Sequence, residues 1–363
     1  QAVISIFGGV WADRHNRKRL IIGADASIAL STLVLAIVIV AGYDAVWLIF
    51  LTLAIRSAGA GIQTPAVSSM IPQITPTRHL MRVNGILQSV QSAMALLAPA
   101  LAGALFGLAA AAASTGDGAP PPASVLVPTF FIDVVTAAFG IGLISMIRVP
   151  TIRLAAQTHS GYFADLVEGI RYIAHHAFVR WLLVVYAIVF LLIVAPANLT
   201  PLMLVRSFAG TETEDVFNLT VLEVAFSAGM VLGGIAIAIW GGTKNRITLI
   251  ATSALVFGAL SIGLGLSPNL WFFWASMFLL GLVAPFFGTP AMTALQETVD
   301  PERQGRVFGF VGIVTALAMP FGMALFGPLA DVFPVELPLI ASGVLTFTVI
   351  GLALPLPAGR RAM

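Results

Sequence analysis

Hydrophobic and polar positions alternate along this chain in blocks of tens of residues rather than in twos or fours. An opening apolar run, QAVISIFGGVWA, is followed by ten longer ones at about 20–42, 46–70, 82–110, 126–147, 180–205, 217–240, 247–267, 270–295, 307–330 and 337–356. Each of the ten is long enough to cross a hydrocarbon core roughly 30 Å thick, which takes about 20 helical residues. Helices are expected and not strands, because the runs are about twice the length of a barrel strand and carry no in/out alternation. The opening run is about half a span and reads as the tail of a longer helix. A signal peptide would place cations before its apolar core, whereas here the basic cluster follows it. The chain is therefore expected to lack its natural N-terminus.

Composition agrees with a lipid solvent. Of 363 residues 59% are hydrophobic and 9% charged, against roughly 25% charged in an average soluble domain. The formal net charge of +2 and the absence of a basic patch interleaved with aromatics leave no reason to expect a nucleic-acid partner. With no cysteine, disulfides, thiol catalysis and Cys-based metal sites are excluded. The cations sit in alternate loops: Arg14, Arg17, Lys18 and Arg19; Arg78 and Arg82; Arg148, Arg153, Arg171 and Arg180; Lys244 and Arg246; Arg303 and Arg306; Arg360 and Arg361. The intervening loops carry none, and only Arg56 and Arg206 fall outside the set. By the positive-inside rule the basic loops and the C-terminus are expected in the cytoplasm, with the bilayer, in a bacterium the plasma (inner) membrane, as surroundings.

The chain also resembles itself. Thr64-Pro65-Ala66 matches Thr289-Pro290-Ala291 and Pro76 matches Pro301, both displaced by 225 residues. Arg82-Val83-Asn84-Gly85 matches Arg306-Val307-Phe308-Gly309, and Ala104-Leu105-Phe106-Gly107 returns as Ala324-Leu325-Phe326-Gly327. The order is conserved between copies, which predicts a parallel duplication of six helices. The expected organisation is an N-terminal bundle over 1–147, incomplete by one helix and part of a second, a linker over 148–179, and a C-terminal bundle over 180–363. Within the linker Phe163, Leu166, Val167, Ile170 and Ala174 share one helical face, predicting an amphipathic helix on the inner surface. The stretch ASTGDGAPPPAS reads as an external insert.

The densest polar signal is the turn from Gly8 to Arg19, with an acid at its head and cations behind. Gly9 would let a neighbouring helix approach closely, Asp13 can accept hydrogen bonds from a helix N-terminus, and the cations can pair with carboxylates on adjacent helices. The alternative is a plain positive-inside anchor. The pattern Gly9-x-x-x-Asp13-Arg14-x-x-Arg17-Lys18 resembles the signature loop between helices 2 and 3 of the major facilitator superfamily, and the twofold repeat and central linker fit it along the whole chain. The resemblance implies an all-α polytopic membrane protein, two six-helix bundles, twelve helices in the complete protein. Asn16 stands where the family usually has Gly, a change expected to be tolerated because Asn accepts left-handed geometry. The matching turn of the second half, Gly241 to Arg246, lacks the acid.

Two features resemble an exporter subgroup, and the run Arg82-Val83-Asn84-Gly85 resembles bacterial drug and siderophore exporters related to macrolide-efflux proteins. Arg56, in the middle of a span, looks like the family's antiporter-associated arginine and needs a partner or a wet cavity. Ala98-Pro99-Ala100-Leu101-Ala102-Gly103 looks like a degraded antiporter motif. Among intramembrane acids, Asp133 and Glu223 lie deepest and are candidates for coupling or substrate binding with Arg56, because a carboxylate in hydrocarbon must be paired or take a proton. Asp25, one turn inside its helix, is expected in a structural ion pair with the basic turn. Glu297 reads as a solvated or latch charge. Gln88 and Gln91 share a helical face, and with Gln63 and Asn198 could line a polar cavity or simply bond between helices.

Enzymatic readings fail on inventory: His15, His79, His159, His175 and His176 all fall in predicted loops without metal-ligand spacing, and no phosphate-binding Gly-rich loop is present. No metal or other cofactor is expected, and the energy would come from an ion gradient, with protons the expected ion. The expected function is proton-coupled efflux of small amphipathic molecules, drug- or siderophore-like, by a monomer. The alternatives are a metabolite uptake symporter and a non-transporting receptor or scaffold.

Overall fold

The computed structural model describes residues 2–43, 46–113, 127–149, 162–208, 210–243 and 245–355. The predicted external insert, Arg153, His159, Lys244, Arg360 and Arg361 lie outside the described residues. The described chain is helical with no strand. In order come α1 (Ala2–Arg14), α2 (Arg17–Val40), α3 (Val46–Ile74), a 3-10 turn (Thr77–His79), α4 (Leu80–Ala113), α5 (Val127–Met146), α6 (Tyr162–His175) and α7 (Ala177–Asn198). Then follow α8 (Thr200–Ser207), α9 (Glu212–Trp240), α10 (Arg246–Gly265), α11 (Leu270–Thr298), α12 (Gln304–Val332) and α13 (Glu336–Ala353). Among the described residues nine spans are long and apolar enough to cross a membrane, and α5 adds a shorter apolar stretch, Phe130–Met146. The amphipathic linker helix is α6.

Polar side chains start several of these helices. Asn16, His176, Asn245 and Asn269 each accept the backbone N–H three residues on, satisfying a donor that has no partner inside the helix. Thr211 and Glu214 form a reciprocal capping box at α9. Gly241 ends α9 in the left-handed region, with φ 79°, where a side chain would clash.

One predicted span is divided. The run 180–205 is broken at Leu199 into α7 and α8. Pro201 has no N–H to continue the ladder, and the Thr200 hydroxyl donates instead to the Pro196 carbonyl at 3.0 Å. The Asn198 amide turns back to the Val194 carbonyl, also at 3.0 Å.

The chain divides into two compact units: Gln1–Ile74, Leu97–Gly169 and Asp300–Ile313 in the first, Thr75–Leu96, Ile170–Val299 and Val314–Met363 in the second. In the first, α2 packs on α3 and α5, and α1 on α3. Ala12, Ile21, Ala66 and Met70 form one apolar cluster there, Leu35 and Ile39 another. In the second, α11 packs on α9 and α10, and α13 on α10 and α7, around Leu204, Leu264, Phe273 and Leu339. Close helix contact in this unit depends on small residues: a Cβ at Gly229, Gly233 or Gly281 would collide with backbone of the facing helix. Large apolar side chains such as Leu30, Val135 and Phe139 point outward, as lipid-facing positions do. Arg206, the lone cation of a predicted external loop, donates to the Ala330 carbonyl at 2.6 Å and so caps the C-terminal end of α12.

Candidate functional site

The first unit holds two polar clusters, and the turn after α1 builds one of them. Asp13, at the end of α1, has a side chain only 2% exposed. Its oxygens accept the backbone N–H groups of Gly305 at 2.7 Å and Arg306 at 3.0 Å, at the start of α12. These donors have no helical partner, and the positive end of the helix dipole favours an anion. Arg17 spreads its guanidinium over Asp13 (3.3 Å) and the carbonyls of Ala12 (3.1 Å), Ser69 (2.7 Å) and Pro301 (2.6 Å). Arg306 lies 3.6 Å from Asp13 and reaches Glu168 at 2.8 Å. Gly9 makes the approach possible, since a Cβ there would strike the Gly305 carbonyl. Burial pushes the Asp13 carboxyl up to about 6, against the opposing pull of Arg17, the two backbone N–H groups and Arg306.

Two expectations about this turn are corrected. Asn16 is not left-handed: with φ −63° and ψ 112° it is extended, and it is there because its amide oxygen caps α2 through the Arg19 N–H. Asp25 makes no ion pair with the basic turn; it accepts a 2.7 Å hydrogen bond from the Gln63 amide, a partner on the neighbouring helix α3. Lys18 turns away from the clasp and donates to the carbonyls of Ser145 (2.7 Å) and Ile147 (2.8 Å), closing the end of α5. Arg14 is a member of the signature pattern that closes α1.

The second cluster joins α2, α3 and α5. Arg56 donates to Asp133, making an ion pair, and to the Thr32 hydroxyl at 3.3 Å, while Thr32 donates to the same Asp133 oxygen at 3.1 Å. The two charged side chains are about one third to two fifths exposed, 42% for Arg56 and 33% for Asp133. Two residues singled out separately are thus each other's partner. Thr32 carried no signal in the sequence, because a threonine in an apolar helix is common and usually bonds its own backbone.

The second unit places the remaining candidates. Glu223 is exposed on α9 and makes no hydrogen bond or ion pair with the described residues. Gln88 bonds to Ser92 at 3.3 Å on its own helix, Gln91 is exposed, and Asn198 bonds within α7. Gln63 belongs to the first unit with Asp25, so these amides do not gather inside either unit. The turn that lacks an acid obtains one from elsewhere: Arg246 pairs with Glu297 at 3.1 Å. Beside it the Asn84 amide donates to Thr293 at 2.9 Å and to Gln296 at 2.7 Å. Asn16-Arg17 and Asn245-Arg246 both start a helix with a capping Asn and a clasping Arg, a correspondence that was available in the sequence. Among the described residues no group of His, Cys, Asp or Glu could hold a metal ion.

Long apolar helices, a parallel repeat and a charged clasp at a helix start define a polytopic membrane transporter rather than an enzyme. The chain belongs to the Major Facilitator Superfamily, whose profile matches residues 1–247 and 213–362. It is 30% identical over 348 residues to "Macrolide efflux protein A" of Streptococcus pyogenes, covering 94% of this chain and 81% of that one. It is likewise 30% identical to "Macrolide efflux protein A" of Enterococcus faecalis over 326 residues, 88% of this chain and 95% of the other. Among solved structures, the Escherichia coli fucose:proton symporter superposes with a TM-score of 0.74 at 17% identity, over 99% of this chain and 87% of that one. A human organic anion transporter gives 0.77 at 13% identity, over 97% and 82%. These likenesses establish the fold.

Proposed function

We propose that the protein exports small amphipathic molecules of the macrolide kind in exchange for protons, by alternating access to a central site. The observation that carries this reading is the Arg56–Asp133 pair with Thr32 against it. An isolated charge inside a membrane is costly, so each member of the pair depends on the other. A proton delivered to Asp133 removes its charge, frees Arg56 to meet another acceptor, and leaves the two helices differently bonded. That is the change a proton-driven cycle needs at its coupling point. Glu223 is a second carboxylate, and unlike Asp133 it has no hydrogen-bond or ion-pair partner among the described residues; it would serve substrate or proton from α9. Gln91, exposed on α4, is available to a ligand in the same way. Asp13 and Arg17, with Gly9, would act as the gate, opening and remaking the bonds to the start of α12, with Arg14 beside them in the same signature turn. The substrate class rests on the printed names of the streptococcal and enterococcal relatives. The basic turns and the C-terminus would face the cytoplasm of a bacterial cell, by the loop charges.

The test is transport by the full-length protein in proteoliposomes with an imposed pH gradient and a radiolabelled macrolide. Counterflow of drug and protons is expected from the wild type, and loss of gradient-driven flux from Asp133→Asn. Flux that ignores the gradient, or an Asp133→Asn protein as active as the wild type, would overturn the reading.

A further inference from the structure

Beside the clasp lies a cavity that the transport reading does not use. It has a volume of about 510 Å³ at the polar ends of α2 and α5 and is lined by Lys18, Arg19, Arg148, Asn16 and the last residues of α5. Its charge is one-sided, with three cations and no acidic side chain among the described residues that line it. Lys18 spends two of its N–H groups on the Ser145 and Ile147 carbonyls, which fixes its ammonium in the wall and leaves a third donor. The side chains of Arg19 and Arg148 are exposed and make no hydrogen bond or ion pair with the described residues. The nearest acid on α2, Asp25, is held by Gln63. The start of α2 adds the positive end of its dipole.

The flank of the cavity is apolar. Val135, Phe139, Leu143 and Met146 follow one another on α5 at helical spacing and are 65%, 69%, 51% and 82% exposed. A ligand in this cavity would therefore meet cations at one end and an outward-facing greasy stripe at the other.

We propose that this cavity binds a phosphate oxyanion, and that the phosphodiester of an anionic phospholipid headgroup is its source, with an acyl chain along the α5 stripe. Two arginines and an ammonium suit this anion: guanidinium groups offer forked donors to phosphate oxygens, and the fixed Lys18 supplies a point charge. A basic pocket between membrane helices at headgroup depth is the geometry that anionic lipids recognise. The proposal stands apart from the coupling role of Arg56 and Asp133 and would survive its failure.

The experiment uses the full-length protein, delipidated in a neutral detergent, and counts bound lipid by native mass spectrometry during titration with phosphatidylglycerol or phosphatidylcholine. Inorganic phosphate is titrated in a third arm. Saturable binding of phosphatidylglycerol over phosphatidylcholine is expected, weakened by roughly tenfold or more in the double variant Arg19→Gln, Arg148→Gln. Both residues are exposed, so the variant should keep the thermal stability of the wild type; if it does not, Arg19→Lys with Arg148→Lys must retain the preference. Binding of inorganic phosphate alone, lost in the same variant, would keep the site and give it a soluble ligand. Equal uptake of both lipids with no effect of either variant, and no phosphate binding, would overturn it.

Discussion

Asp13 shows how a single carboxylate can be both held and strained by its surroundings. Its partners at the start of α12 and on Arg17 stabilise the ion, yet removal from water outweighs them and lifts its pKa to about 6 from an ordinary 3.8. A carboxyl raised in the folded state contributes stability that is fully present below pH 3.8 and is lost as pH rises through 6, up to about 3 kcal/mol in all. The melting temperature of the wild type should therefore fall relative to that of Asp13→Asn between pH 4 and pH 7, with the two curves parallel above that window. Parallel curves throughout would show that Asp13 ionises as freely as in water. Gly9 makes a different prediction from the same contact. Gly9→Ala or Gly305→Ala would force the facing backbones apart, at about 1–3 kcal/mol each. The double variant should cost less than the sum, because both remove one approach; a thermal-unfolding cycle measures this. At the second cluster, Asp133→Asn leaves Arg56 with a neutral partner. A loss of about 1 kcal/mol is expected, with Arg56→Gln partly restoring stability when combined with it.

Helices were the part of this fold that the sequence made legible, and the reasons are physical. A bilayer demands about 20 apolar residues per span, so the order of the spans could be read from hydropathy, and α6 from its apolar face, although the run at 126–147 gives only a shorter apolar stretch, Phe130–Met146, among the described residues. Charge pairing was only half legible. Arg56 and Asp133 each stood out as a charge in an apolar run, but 77 residues separate them, and nothing in either helix names the other. The same separation hid Glu297 from Arg246, 51 residues away, so that turn read as lacking its acid. The break between α7 and α8 was written in Pro196 and Pro201, yet a hydropathy window averages over it. Asn16 misled because its residue type fits both a left-handed turn and a helix cap, and only the backbone angles separate them. At this scale Glu297→Gln tests the clasp of the second unit. The pair is 17% and 29% exposed, so a loss of about 1 kcal/mol is expected by thermal unfolding. Arg246 would still cap Thr243, which limits the effect.

At the scale of the whole chain, the two compact units and the linear halves are different partitions. Residues 300–313 belong to the first unit although they follow the linker by more than a hundred positions, and 75–96 belong to the second although they precede it. The bonds explain the first assignment: Asp13 and Arg17 find their acceptors and donors at Pro301, Gly305 and Arg306. They also explain the second, because Asn84 bonds Thr293 and Gln296, and Gly85 lies where a Cβ would meet Ala238. A duplication read along the sequence gives two copies of six helices, but the first clasp ties the first copy's signature turn to residues 301–306 of the second, whereas the Arg246–Glu297 clasp stays within its own copy. A chain cut in the linker should then yield fragments that are incomplete separately. The N-terminal piece alone leaves Asp13 and Arg17 without the start of α12, a loss of several hydrogen bonds to charged groups at about 1.5–3 kcal/mol each. Co-expression of the two pieces should restore protease resistance, and the N-terminal piece alone should be degraded. An N-terminal piece that is fully resistant by itself would mean that the segment 300–313 contributes little to the stability of the first unit. With Asp13→Asn in the N-terminal piece, reassembly should be retained but its pH dependence between 4 and 7 lost, which ties the whole-chain result to a single carboxyl.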